Sequence, residues 1–112
     1  MGISVKDLRR MDEISIRTQN SEYRFRVTEP AMCRGLLSGG LLGEEQLEAS
    51  LCDGVARSDL QTQSSPRLEI GRCAFFCLHL RDTVSRFTTS VILDLSLAGV
   101  PTQAYLETSR ID

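Results

Sequence analysis

No stretch of this chain approaches the ~18 apolar residues that a membrane-crossing helix requires. The opening Met1-Gly-Ile-Ser-Val-Lys-Asp-Leu-Arg-Arg10 carries charges where a signal peptide needs its apolar segment. The expectation is a cytoplasmic protein with no membrane partner. An excess of charge is missing as well, since 13 basic residues against 15 acidic ones leave a net −2. With no exposed aromatics interleaved among the basic residues, that balance disfavours nucleic acid as a partner. Lysine is nearly absent: the basic residues are twelve arginines and Lys6. Arginine is the better side chain for two-point contacts with planar anions. Histidine occurs once, at His79, and no C-x₂-C pair occurs. Also lacking are a G-x-S-x-G elbow, a Walker lysine and G-x-G-x-x-G spacing, so no familiar catalytic constellation is present.

What is present is 112 residues with 41% hydrophobic and 25% charged side chains, enough for one compact domain. We read residues 1–112 as a single small β domain, with 1–12 and 102–112 as terminal extensions. The four cysteines, Cys33, Cys52, Cys73 and Cys77, are expected to stay reduced in a cytoplasm. Residues 4–11 suit a short helical turn capped by Ser4.

From Glu13 the period is two. Ile14, Ile16 and Thr18 alternate with polar residues, as do Tyr23, Phe25 and Val27, and Gln19–Glu22 has turn chemistry. A β-hairpin follows, ended by Pro30. Gly39-Gly40 suits a tight hairpin turn. Residues 44–53 fit helix or strand, and the surrounding turn residues favour strand. The polar stretch 56–66 reads as a long loop. Cys73–Leu80 is apolar on both faces, which calls for cover on both sides, the second by a helix, the tail or another subunit. Phe87–Leu97 reads as one strand with Phe87, Thr89, Val91, Leu93, Leu95 and Leu97 on one face. The sum is an all-β domain, a small antiparallel barrel or roll of about six strands, with a two-sheet sandwich as the alternative.

Three constellations bear on function. With a Gln19–Glu22 turn, Arg17 falls opposite Arg24, and Ser15 opposite Arg26. Facing arginines repel, and a bound phosphate or carboxylate would relieve the repulsion. Arg17, Arg24 and Arg26 are therefore the anion-binding candidate. The plainer reading has Glu13, Glu22 and Glu29 neutralising them on a solvated face. Cys77 and His79, two apart on one strand face, could share a metal with Cys33 or Cys52. Small buried thiols and a hydrogen-bonded histidine account for the same residues, so neither metal nor cofactor is expected. As a catalytic pair they lack an evident orienting carboxylate or amide.

The third constellation is Asp94-Leu-Ser-Leu-Ala-Gly99. It resembles the D-x-S-x-x-G motif of PilZ domains, small bacterial β-barrels that bind cyclic di-GMP. That family pairs the motif with an upstream R-x-x-x-R, whereas Arg81 and Arg86 are here five apart. The resemblance covers six residues and implies a nucleotide sensor. The residues themselves point to a non-catalytic binding or assembly module, forming a homodimer or meeting a protein partner through Cys73–Leu80. A small-anion or nucleotide sensor is the alternative.

Overall fold

The computed structural model describes residues 2–52 and 66–97. Among the described residues the chain forms nine strands, with period-two alternation of β-branched and aromatic residues clearest in the second and third. They are β1 (Gly2–Ser4), β2 (Glu13–Thr18), β3 (Glu22–Glu29), β4 (Arg34–Gly39), β5 (Leu47–Cys52), β6 (Arg67–Glu69), β7 (Phe75–His79), β8 (Val84–Thr88) and β9 (Ile92–Leu97). Strands β1 and β6 pair by themselves, and the other seven form one antiparallel sheet in the order β8-β7-β5-β4-β3-β2-β9.

The chain connectivity forces that sheet to roll. Strands β8 and β9 are its two outermost strands, yet only Thr89–Val91 separates them in the chain. Laid flat, the six strand spacings would hold them about 29 Å apart, while the four residue steps from Thr88 to Ile92 reach about 14 Å at most. Rolling brings Tyr23 of β3 against Phe87 of β8, edge to face with ring centroids 5.6 Å apart. No ladder joins β8 to β9, so the roll is not a closed barrel. The segment 71–74 bridges the gap instead. The Gly71 amide donates to the Ile92 carbonyl, the Ile92 amide to Arg72 and the Thr89 amide to Ala74, at 2.8–2.9 Å.

One face of the sheet makes the core: Ile14, Ile16, Tyr23, Phe25, Val27, Leu37, Ala49, Leu51, Phe76, Leu78 and Ile92 are buried. Leu68 of β6, with partly buried Ile3 of β1 and buried Val5 just after β1, joins the small β1–β6 pair to the same cluster. The N-terminal residues thus do more than extend the domain. A 3-10 turn at Val5–Asp7 stands where a helical turn was expected, and its capping residue Ser4 makes no side-chain cap. Strand β1, which the sequence reading lacked, precedes it.

Several other expectations are corrected. The first hairpin turns more tightly than Gln19–Glu22. The Thr18 amide donates to the Ser21 carbonyl at 2.8 Å, and the Ser21 amide donates to Thr18 Oγ1 at 3.1 Å. Ser15 therefore faces Arg24, Glu13 faces Arg26 and Arg17 faces Glu22. A slip of two residues leaves every side chain on its own face, so alternation alone does not distinguish the two registers, and the turn decides. Gly39-Gly40 does not centre a tight turn. Gly39 (φ 100°) ends β4 and a 3-10 turn at Gly40–Leu42 begins a longer excursion to β5. The strand reading of 44–53 holds for Leu47–Cys52. Phe87–Leu97 is two strands at opposite edges of the sheet. A bulge where β9 meets Arg17/Thr18 puts Ile92 inside and leaves Leu93 49% exposed. The readings of 56–65 and 102–112 lie outside the described residues.

Candidate functional site

The face of the sheet turned away from the core carries the chemistry. Around β3 it forms a cleft of about 770 Å³ lined by Arg24, Arg26, Ser38, Leu36, the 39–43 turn and three carboxylates, Glu13, Glu22 and Glu44. Arg26 donates to Glu13 at 3.2 Å. Arg24 lies between Ser15 of β2 and Ser38 of β4, and Ser15 Oγ donates to Glu22 at 3.2 Å. Arg17 is not in the cleft lining; it lies opposite Glu22 on one side and Asp94 on the other. The expected facing arginines are absent, and with them the repulsion an anion would have relieved. The carboxylates around Arg24 and Arg26 make the cleft one of mixed charge, and a half-exposed pair such as Arg26–Glu13 contributes about 0–1 kcal/mol.

The second cluster lies on β5 and β7. Their register pairs Ser50 with Cys77 and Cys52 with Phe75, so Ser50 and Cys52 each sit diagonally from the next outward residue of β7. Ser50 Oγ and His79 Nε2 share a hydrogen bond of 2.6 Å, its direction set by the imidazole tautomer. The Cys52 and Cys77 sulfurs are 2.8 Å apart. Burial, followed by the hydrogen bond with Cys77, pushes the Cys52 thiol up to about 12, with Arg86 opposing. Arg86 lies across from Cys77 in the β7–β8 register.

Of the thiols that could have joined Cys77 and His79, Cys52 is the one that arrives. Cys33 is buried at the left-handed end of the Pro30–Met32 turn, and burial raises its thiol too. Among the described residues no group of three His, Cys, Asp or Glu side chains could hold a metal ion. Ser50 was missed from sequence. Its only signal was the two-residue spacing Ser50/Cys52, mirrored by Cys77/His79, and the long connection between β5 and β7 hides their register.

Chemically, Ser50 and His79 have the separation of a nucleophile and its base. No described carboxylate is hydrogen-bonded to the imidazole, however. Strands β5 and β7 are each flanked on both sides, so their ladders engage the local backbone amides that would have held an oxyanion.

In the PilZ-like stretch, Asp94 and Ser96 lie on β9, opposite Arg17 and Ser15, and Arg86 lies on β8, opposite Cys77. Gly99 is outside the described residues.

Among the described residues, β7 is covered on its inner side, where Phe76 and Leu78 are buried, as is Ala74 before the strand. On its outer side Phe75 is 37% exposed and the facing strand's Val84 is 59% exposed, while Leu80, just past the strand, is 40% exposed. Among the described residues β8 has one strand neighbour. The Leu80 amide donates to Thr83 and the Thr89 amide to Ala74, which fixes the alternation of bonded pairs along the hairpin. The backbone groups of Val84, Arg86 and Thr88 accordingly point away from β7. At the opposite edge, Gly71 and Arg72 bond to Ile92 of β9. No protein-family model, curated protein or solved structure matches this chain.

Proposed function

We propose that the chain is a non-catalytic binding and assembly module that pairs with a second copy through the edge of β8. The observation that carries this reading is the contrast between the two sheet edges. Among the described residues, strand β9 is partly covered by Gly71 and Arg72, while β8 presents Val84, Arg86 and Thr88 backbone groups outward beside exposed Phe75, Leu80 and Val84. An uncovered edge strand recruits another strand through main-chain hydrogen bonds, with adjacent side chains giving specificity. Antiparallel pairing of β8 with itself obeys the two-fold symmetry that most homodimers use. A register centred on Ser85 sets Val84 against the aliphatic stem of Arg86 and avoids opposing the two arginines.

The test is light scattering on a sizing column, with Arg86→Pro as the variant. Proline at an outward-facing position of an edge strand removes one intermolecular donor without breaking a bond to β7. The native chain is expected to run as a dimer and Arg86→Pro as a monomer with unchanged far-UV circular dichroism. A native monomer at about 100 µM, a concentration well above the micromolar affinities of ordinary interfaces, overturns the reading. Anion binding in the Arg24–Arg26 cleft takes second place, because three carboxylates line it, and the PilZ-like nucleotide reading takes third.

A further inference from the structure

The two half-exposed thiols on β5 and β7 have no part in the assembly reading, and their geometry stands independently of it. Cys52 and Cys77 come from separate strands, and their sulfurs meet at 2.8 Å on the solvent side of the sheet. Of the other two thiols, Cys33 is buried and Cys73 precedes β7, in the segment that bridges the seam.

We propose that Cys52 and Cys77 are a dithiol that closes reversibly into a disulfide joining β5 to β7. The oxidant is a low-molecular-weight disulfide of the glutathione class. Cys77 loses its proton, and its sulfur attacks one sulfur of the oxidant, breaking the external S–S bond. The departing thiolate takes up a proton. Cys52 then attacks the Cys77 sulfur of the mixed disulfide, surrendering its proton and expelling the second small thiol. Two protein thiols are oxidised by two electrons, and one external disulfide is reduced to two thiols.

Cys77, which faces Arg86 across the β7–β8 pair, is assigned the first attack. Burial and the bond to Cys77 keep the Cys52 thiol protonated until the second step. The register also argues for reversibility. Diagonal neighbours in an antiparallel sheet stand about 7–8 Å apart, just beyond the usual span of a disulfide, so closure draws the backbones together. A bond made under such strain is more easily reduced than one between directly facing residues, which is the behaviour of a labile link rather than a permanent staple.

The experiment incubates the native chain with oxidised glutathione, blocks the remaining thiols with maleimide under denaturing conditions, and maps peptides by mass spectrometry without reduction. The expected product has lost two hydrogens, carries a Cys52–Cys77 linked peptide and takes up two maleimides, on Cys33 and Cys73. Excess reduced glutathione restores four reactive thiols. Cys52→Ser is expected to accumulate a glutathione adduct on Cys77. The native chain's peptide map decides the question even should that variant fold poorly. Four maleimides after oxidation, a stable glutathione adduct on the native chain, a linkage through Cys73 or Cys33, or a linkage between two copies would each overturn the proposal.

Discussion

A buried thiol couples proton binding to folding. The Cys52 thiol has an ordinary value of 9.0 and is pushed up to about 12 in the folded chain. Below pH 9 both folded and unfolded chains hold the proton, and the contribution to stability is constant. Between pH 9 and 12 the unfolded chain releases the proton while the native chain keeps it, so stability falls as pH rises. The urea midpoint of the reduced native protein is expected to decline more steeply across that window than that of Cys52→Ser. Parallel declines would show that Cys52 titrates alike in both states. At this scale the sequence was partly legible. It put Cys77 and His79 on one strand face and named Cys33 or Cys52 as the thiol to join them, but of Ser50 it carried only the two-residue spacing to Cys52. It also made Arg24 face an arginine, because period-two alternation is blind to a slip of two residues.

Strand elements were legible wherever alternation was clean and unbroken, as in β2 and β3. They were lost where one pattern ran across a break. Phe87, Thr89, Val91, Leu93, Leu95 and Leu97 form a flawless apolar-facing series in the sequence. The chain nevertheless leaves the sheet at Thr89 and bulges after Ile92, so Leu93 turns outward while Leu95 and Leu97 pack against the core. A bulge consumes one residue and inverts the parity of what precedes it, and no residue in this series advertises it. Gly35 is the converse case, a glycine inside a strand that marks a close approach. A Cβ there would lie 2.2 Å from the Arg26 carbonyl oxygen and 3.0 Å from the Phe25 ring. The oxygen belongs to the β3 backbone, so β3 and β4 would have to separate. Gly35→Ala is expected to destabilise the chain by about 1–3 kcal/mol, the usual cost of overpacking. The measurement is a urea titration, and an unchanged midpoint would mean the two strands part freely.

At the scale of the whole fold, the described residues centre on a rolled sheet whose ends are tied by a short segment rather than by a ladder. That arrangement was only half legible. Composition and strand spacing pointed to a barrel or roll, but the link between the edges lies in residues 71–74 and Thr89–Ser90, and the alternation that runs unbroken through Thr89 and Ser90 hides the corner there. Thr89 is the residue on which the tie turns. It is buried; its Oγ1 accepts from the Ala74 amide at 2.9 Å and donates to the Ser90 carbonyl at 2.8 Å. Its own amide donates to the Ala74 carbonyl. One side chain thus satisfies a buried amide that no ladder serves and fixes the corner between β8 and β9. Replacing it with the isosteric Val keeps the volume and removes both hydroxyl bonds, leaving the Ala74 amide buried without that partner. Such an orphan costs about 1–3 kcal/mol. Thr89→Val is expected to lower the urea midpoint accordingly, and Thr89→Ser, which keeps the hydroxyl, to recover much of the loss. Because the tie joins the two edges, hydrogen exchange in Thr89→Val should quicken at the amides of residues 89 and 92 more than in the β3–β4 centre of the sheet. Uniform quickening would mean that the seam has no stability of its own and opens only when the whole roll unfolds.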